Sequence, residues 1–320
     1  MTRNRRGVKF TLGVAAVLAT LGVLALSAAP AGRQTAAAIA YACPMHPDVV
    51  SREPGVCPRC RMPLAPADPF DAREYLVEIE AQPSAPTPGV PTRLRLTVRE
   101  PATRAVVRDF VEVHEKRYHL FVIGQDLESY DHLHPVQQAD GSYIVDVTLS
   151  RAGYYRLYSD FLPLGGTPQV VPGLLVTAGF AGDLAAALPH LVPDTAPRTI
   201  AGMRVSLSLP PGGLAAGREE KLHYHVVDAR SGAGVTDLEP YLAAFGHTLI
   251  LSEDTLHYVH AHPIELLPDG PGPIRGGPDL TFKALLPRPG RYRLWTQVKR
   301  RGVVSTVAFT MDVKSATTNP

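Results

Sequence analysis

HLFVIGQDLESYDHLHP, residues 119–135, and HTLILSEDTLHYVHAHP, residues 247–263, are two copies of one pattern. They align without a gap at an offset of 128 (247 − 119), and the alignment holds over 75–135 and 203–263. Under it Pro83 meets Pro211, Gly89 meets Gly217, Leu94 meets Leu222 and Asp109 meets Asp237. Further on, Gly153-x-Tyr155-Arg156-Leu157 corresponds to Gly290-x-Tyr292-Arg293-Leu294, after an insertion in the second copy around Pro271 to Pro278. Self-similarity at this spacing decides the architecture before any residue-level reading. It gives two homologous domains, 71–180 and 200–316, each of ordinary domain size.

Within each copy short alternating runs dominate, such as Tyr75-Leu76-Val77-Glu78-Ile79 and Arg291-Tyr292-Arg293-Leu294-Trp295, bounded by proline, glycine and aspartate. A period of two with turn residues between argues for strands, and many short strands argue for sandwiches. The expected fold class is mainly β, each domain an immunoglobulin-like β-sandwich. Ala181 to Leu191 is the best helical candidate; with Pro189, Pro193 and Pro197 it reads as part of a stiff linker over 181–199.

The copies differ at most apolar positions, where Val, Ile, Leu and Phe interchange, as packing permits. They agree at His119, Tyr130, His132, His134 and Pro135, which meet His247, Tyr258, His260, His262 and Pro263. His132 and His134 lie two apart on a strand, so both project from one face with Tyr130. A four-residue loop, Gly124 to Leu127, would put His119 opposite His132 on that same face. Ser252 to Thr255 would do the same for His247 and His260. An odd loop would send the first histidine to the other face. Three imidazoles on one hairpin suit Cu(II) or Zn(II), with a fourth position open to water or a carboxylate. The competing account is a structural tyrosine–histidine network that survives duplication without metal. His223 and His225 have no counterpart histidines and read as a solvated strand face. His114, His190 and His257 read as surface residues, and Glu80, Asp109, Asp237 and Glu265 as scattered acids.

Ahead of the repeat, Tyr41 to Pro66 reads YACPMHPDVVSREPGVCPRCRMPLAP and holds all three cysteines, Cys43, Cys57 and Cys60, with Met45, His46 and Met62. Thiolate, thioether and imidazole donors select Cu(I), Ag(I) or Zn(II) over oxygen-loving ions. Pro44, Pro47, Pro54, Pro58 and Pro63 leave little room for a helix, so a compact loop-and-turn module over 41–68 is expected, ordered mainly by a bound ion. A disulfide between Cys57 and Cys60, with Cys43 outside the bridge, is the alternative.

Cys43-Pro-Met-His-Pro47, then Pro54-Gly55, then Cys57-Pro-x-Cys60-x-Met62-x-Leu64, resembles the heavy-metal-binding domain carried by heavy-metal P-type ATPases and periplasmic efflux adaptors. The resemblance implies Cys43, Met45, His46, Cys57, Cys60 and Met62 as ligand candidates. It departs from the family where Arg61 stands in place of the usual glycine. More loosely, the whole block resembles exported bacterial proteins with tandem sandwiches carrying His-x-His-Pro.

Arg3, Arg5, Arg6 and Lys9 precede a stretch without charge from Phe10 to Gly32. A basic start before an apolar run is an export signal, either cleaved near Ala25–Ala31 or kept as an anchor over 10–32. Residues 1–40 are therefore a leader, and the expected location is periplasmic or extracellular. Thirty-two Lys and Arg against thirty Asp and Glu leave a net charge of +2, with no basic excess to recruit nucleic acid. No nucleophile elbow, phosphate loop or dinucleotide fingerprint occurs, so an enzyme is not expected. The expectation is an exported binder of heavy metal, copper first, with zinc or silver as alternatives, which serves sequestration, delivery or resistance. Its partners would be the ion and a metal transporter or other envelope protein. The competing readings are a metal-independent envelope interaction protein and a metalloenzyme using a three-histidine ion.

Overall fold

Pro91–Arg99 buries Thr92, Leu94, Leu96 and Val98 and turns the residues between them outward. Its counterpart Glu219–Asp228 does the same with Glu220, Leu222, Tyr224 and Val226. Alternation of this kind makes one face of a sheet the wall of a core. The structure, a computed structural model, describes residues 40–44, 46, 48–59, 61–68, 71–182, 189–268 and 271–316. The expected leader lies outside them except at Ala40, and so does most of the candidate helix at 181–191.

In the first sandwich one sheet runs Leu76–Gln82, Pro91–Arg99, Tyr143–Thr148, Val136–Gln137. The other runs Gln169–Val176, Tyr154–Pro163, Tyr118–Gly124, Tyr130–Leu133. In the second sandwich one sheet runs Arg198–Ile200, Met203–Ser208, Glu219–Asp228, Asp279–Leu285. The facing sheet runs Leu214–Ala215, Val303–Lys314, Gly290–Arg300, His247–Ser252, Tyr258–Ala261. Pairing is antiparallel except where Leu214–Ala215 lies parallel to the last strand. Both copies carry a tyrosine corner. The Tyr155 hydroxyl donates to the Arg151 carbonyl at 3.1 Å, and that of Tyr292 to the Arg288 carbonyl at 2.8 Å. The mainly β, two-sandwich class is the observed one.

The histidine-bearing strands break the alternation. All seven residues of Tyr118–Gly124 and all six of His247–Ser252 are buried. One face of Tyr118–Gly124 supplies Leu120 and Val122 to the core of its own sandwich. The other supplies Phe121 and Ile123 to a third cluster, shared with Leu249, Leu251 and Trp295 of the second sandwich. The two sandwiches thus pack through the faces that carry the histidines. Tyr130 stacks on Trp295 at 5.1 Å, and Tyr258 stacks on Tyr158 at 5.5 Å. Tyr158 and Trp295 occupy equivalent positions, so the interface repeats itself about a pseudo-twofold axis.

Two expectations need correction. The hairpin register differs by two residues: Ile123 pairs with Tyr130 and Phe121 with His132, which sets His119 level with His134. Leu251 likewise pairs with Tyr258 and Leu249 with His260. The turn is wider than four residues because Gly124 N–H bonds to the Ser129 carbonyl and Leu127 takes φ 57° inside it. A shift of two keeps the faces, so each triad still shares one side. The cysteine module is also more regular than a set of loops. Val50–Ser51, Ala40–Ala42 and Ala65–Ala67 form a three-stranded antiparallel sheet. Pro66 lies on an edge strand, where its missing N–H breaks no ladder.

Candidate metal centres

Cys43 and Cys57 are both fully buried, and each places its Sγ 3.6 Å from Nδ1 of His46. A zinc-sized ion with bonds of about 2.3 Å to sulfur and about 2.0 Å to nitrogen would hold S and N roughly 3.6 Å apart at a tetrahedral angle. The pocket is made by tight turns. The His46 N–H bonds to the Cys43 carbonyl at 3.2 Å, and the Cys57 N–H bonds to the Met62 carbonyl at 2.8 Å. Arg61, where glycine is usual, takes φ 63°. That left-handed conformation is why glycine suits the position. Met62 and His46 line one cavity together. The ligand candidates Met45 and Cys60 lie outside the described residues.

The histidines of the repeat form two clusters, His119–His132–His134 and His247–His260–His262, each with one nitrogen per ring within 4.8 Å of the others. Hydrogen bonding constrains their tautomers. His119 Nε2 lies 3.0 Å from the Val113 carbonyl, which only accepts, so Nε2 carries the proton and Nδ1 is a lone pair. His132 Nδ1 lies 2.9 Å from Oε1 of Gln297, whose Nε2 donates to Thr306 Oγ1 at 3.3 Å; with the amide so oriented His132 Nδ1 donates and Nε2 is bare. The two bare nitrogens, His119 Nδ1 and His132 Nε2, face each other at 3.1 Å. The second copy repeats the contacts. His247 Nε2 donates to the Tyr241 carbonyl at 2.8 Å, His260 Nδ1 faces the Asp160 carboxylate at 3.3 Å, and the remaining nitrogens stand 3.4 Å apart. The third ring of each set, His134 or His262, keeps a buried Nε2 with no hydrogen-bond partner among the described residues.

Both clusters are finished by the opposite sandwich. Gln297 neighbours His247 in the second sheet yet binds His132 of the first. Asp160 neighbours His119 in the first sheet yet takes His260 and the Tyr258 hydroxyl, the latter at 2.8 Å. Burial alone would raise the Asp160 carboxyl; the hydrogen bond and charge of His260 outweigh it and hold the group below the usual carboxylate range. Burial lowers His119 to about 4 and His134 to about 3, and pushes His132, His247 and His262 well below an ordinary histidine. The neutral rings are thus in the state that binds metal. The clusters lie side by side: His119 and His132 stand 5.8 and 5.9 Å from His260 by ring centres.

His114, read as a surface residue, is 9% exposed and stacks on His262 at 3.7 Å. It sits in the turn closed by Val113 and Lys116, at φ 50°, and its counterpart there is Leu242 at φ 53°. Its Nε2 is buried and unpartnered among the described residues, and burial lowers the ring to about 3. Asp160 and Gln297 were missed as well. The available signal was a polar residue at the same place in each copy of the repeat, five residues past Tyr155 and Tyr292. His190 is exposed and His257 half-buried. His223 and His225 lie on an outer strand face, within 3.3 and 2.7 Å of Asp279, as a solvated face would have them.

Comparison with known proteins gives two family matches. A domain of unknown function, DUF8832, matches twice, over 71–177 and 198–315. A heavy metal binding domain matches over 40–67. No curated protein matches. Among solved structures, the Escherichia coli adhesin FdeC is 12% identical over 74% of this chain and 63% of its own, with a TM-score of 0.23. A Salmonella alpha-2-macroglobulin is 14% identical over 80% and 17%, with a TM-score of 0.24. A two-domain fibronectin type-III segment of chicken tenascin is 12% identical over 75% and 98%, with a TM-score of 0.20. The chain spans less than two thirds of the adhesin and under a fifth of the macroglobulin, and overlaps this loose carry no argument about function.

Proposed function

The chain belongs to the DUF8832 family across both sandwiches, with a heavy-metal-binding domain ahead of them, and we propose that it is an exported heavy-metal carrier of the cell envelope, with copper as its first cargo. The basic, then apolar, first 32 residues support export, to the periplasm or the cell surface, with or without a retained anchor. The soft donors Cys43, His46, Cys57 and Met62 support Cu(I), with Ag(I) and Zn(II) as competitors. A metal transporter or another envelope protein would take the ion onward.

The observation that carries the reading is the convergence, in each copy, of three histidine ring nitrogens within 4.8 Å of one another. The nearest ring nitrogens stand 3.1 Å apart in the first copy and 3.4 Å apart in the second. Nitrogens bound to one ion at about 2.05 Å stand roughly 3.3 Å apart at a tetrahedral angle. A structural network would give the buried Nε2 of His134 and of His262 a partner, and neither has one among the described residues. The backing of His260 by Asp160 has the carboxylate–histidine form that orients metal ligands. Asp160 is already engaged by His260 and Tyr258, which favours holding an ion over acid–base catalysis on it.

The test is metal stoichiometry on the purified chain under reducing conditions. His132→Ala/His260→Ala should shed the histidine-bound ions and keep the thiolate-bound one, and Cys43→Ser/Cys57→Ser should do the converse. Unchanged metal content in the histidine variant would make the clusters structural. Asp160→Asn should weaken ion retention by the second cluster about 10–100-fold in chelator competition.

A further inference from the structure

The soft module and the histidine clusters share a cavity. About 360 Å3 in volume, it is walled by His46 and Met62 on the module side and by His114, His260 and His262 on the other. A second cavity, about 550 Å3, runs between Pro44 and Met62 of the module and His114. A small third recess reaches from Pro44 past His114 to His119, Asp160 and His260. His114 lines all three. Its Nε2 has no hydrogen-bond partner among the described residues, the residue is nine-tenths buried, and its ring lies against His262. The turn that carries it has φ 50° at His114 and φ 61° at Glu115, a primed turn that ordinarily takes Asn-Gly. The equivalent turn puts Leu242, which offers no ligand, in its place.

We infer that His114 relays metal ions from the Cys43–His46–Cys57 site into the paired histidine clusters across this shared cavity. The step is ligand exchange without redox change. The ion leaves thiolate sulfur, is held transiently by His114 Nε2, and gains imidazole nitrogens of the second cluster; the released thiolates take up protons from solvent. The asymmetry between His114 and Leu242 makes the His247–His260–His262 cluster the first to fill. The inference rests on the reading of the triads as metal sites, and its test separates the two.

The experiment uses the full metal-free chain, anaerobic and reduced, mixed rapidly with one equivalent of Co(II), which reports thiolate ligation by its charge-transfer absorption. In the wild type the thiolate band should rise first and then decay as a thiolate-free d–d spectrum grows. His114→Leu, which copies the residue of the other turn, should leave the first phase and the final spectrum unchanged and slow the decay at least tenfold. His114→Gln should fall in the same class. Decay at the wild-type rate in both variants overturns the relay. So does filling of the histidines at full speed in Cys43→Ser/Cys57→Ser, since the ion would then enter directly. If cobalt stays on thiolate while a second equivalent fills the histidines, the relay fails and the triad reading stands. If no thiolate-free site fills even with excess cobalt, the triad reading fails and the relay with it.

Discussion

A histidine held neutral in the folded chain makes stability depend on pH, and burial lowers six such rings here: His114, His119, His132, His134, His247 and His262. Their folded pKa values lie below the unfolded value near 6.5, so between the two the unfolded chain binds more protons and stability rises with pH. The contribution is complete above about pH 6.5 and is lost as pH falls from there toward the folded values, at up to about 1.4 kcal/mol per unit for each ring. His260, Asp160 and Lys116 are the charged groups facing these rings, and the charge of His260 lowers all six. Asp160 raises His119, whereas Lys116 lowers it and His134. For the metal-free chain the urea midpoint should change little from pH 7.5 to 6.5 and drop steeply from 6.5 to 5.5. A flat profile over that second interval would mean the rings are open to water. The residue scale is also where sequence reading gave out for His114. Nothing local distinguishes a surface histidine from one pressed against His262, because burial here comes from the other sandwich.

The hairpins were legible as elements, and so was their shared face, because the side-chain period of two survives any even shift of register. The register itself was not legible. It turns on Leu127 and its counterpart Thr255 adopting φ 57° and 63°, which neither residue type advertises. Equally hidden was full burial of the central strands. Their outward residues Phe121, Ile123, Leu249 and Leu251 look like ordinary strand apolars, and only docking on Trp295 and Tyr158 explains them. Trp295 is therefore the element-scale test of the interface. At 1% exposure, stacked on Tyr130 with an interplanar angle of 9°, it fills space between the sandwiches. Trp295→Ala should cost about 3–5 kcal/mol in urea unfolding. It should also loosen Gln297, two residues along the same face, and with it the orientation of His132. By contrast Val136→Ala, at a residue 66% exposed, should fall within about 0.5 kcal/mol of wild type. Equal losses from the two changes would refute the docked interface.

For the whole molecule, the exchange of backing residues ties ion binding to the docking of the sandwiches. Gln297 reaches His132 and Asp160 reaches His260, so neither cluster has its full set of hydrogen bonds unless both sandwiches are folded and in place. An ion held there binds the docked form and not the unfolded chain, and at a hundred times its dissociation constant it adds about 2.7 kcal/mol per site. The single tryptophan, Trp295, lies in that interface and reports on it. Heating with Zn(II) present should therefore move the Trp295 fluorescence transition upward by several degrees, as one step for both sandwiches. His132→Ala/His260→Ala should abolish the zinc-dependent part of the shift, while Cys43→Ser/Cys57→Ser should retain it. A shift retained by the histidine variant and lost by the cysteine variant would assign the stabilisation to the N-terminal module. The sandwiches would then be a docking platform that carries no ion of its own.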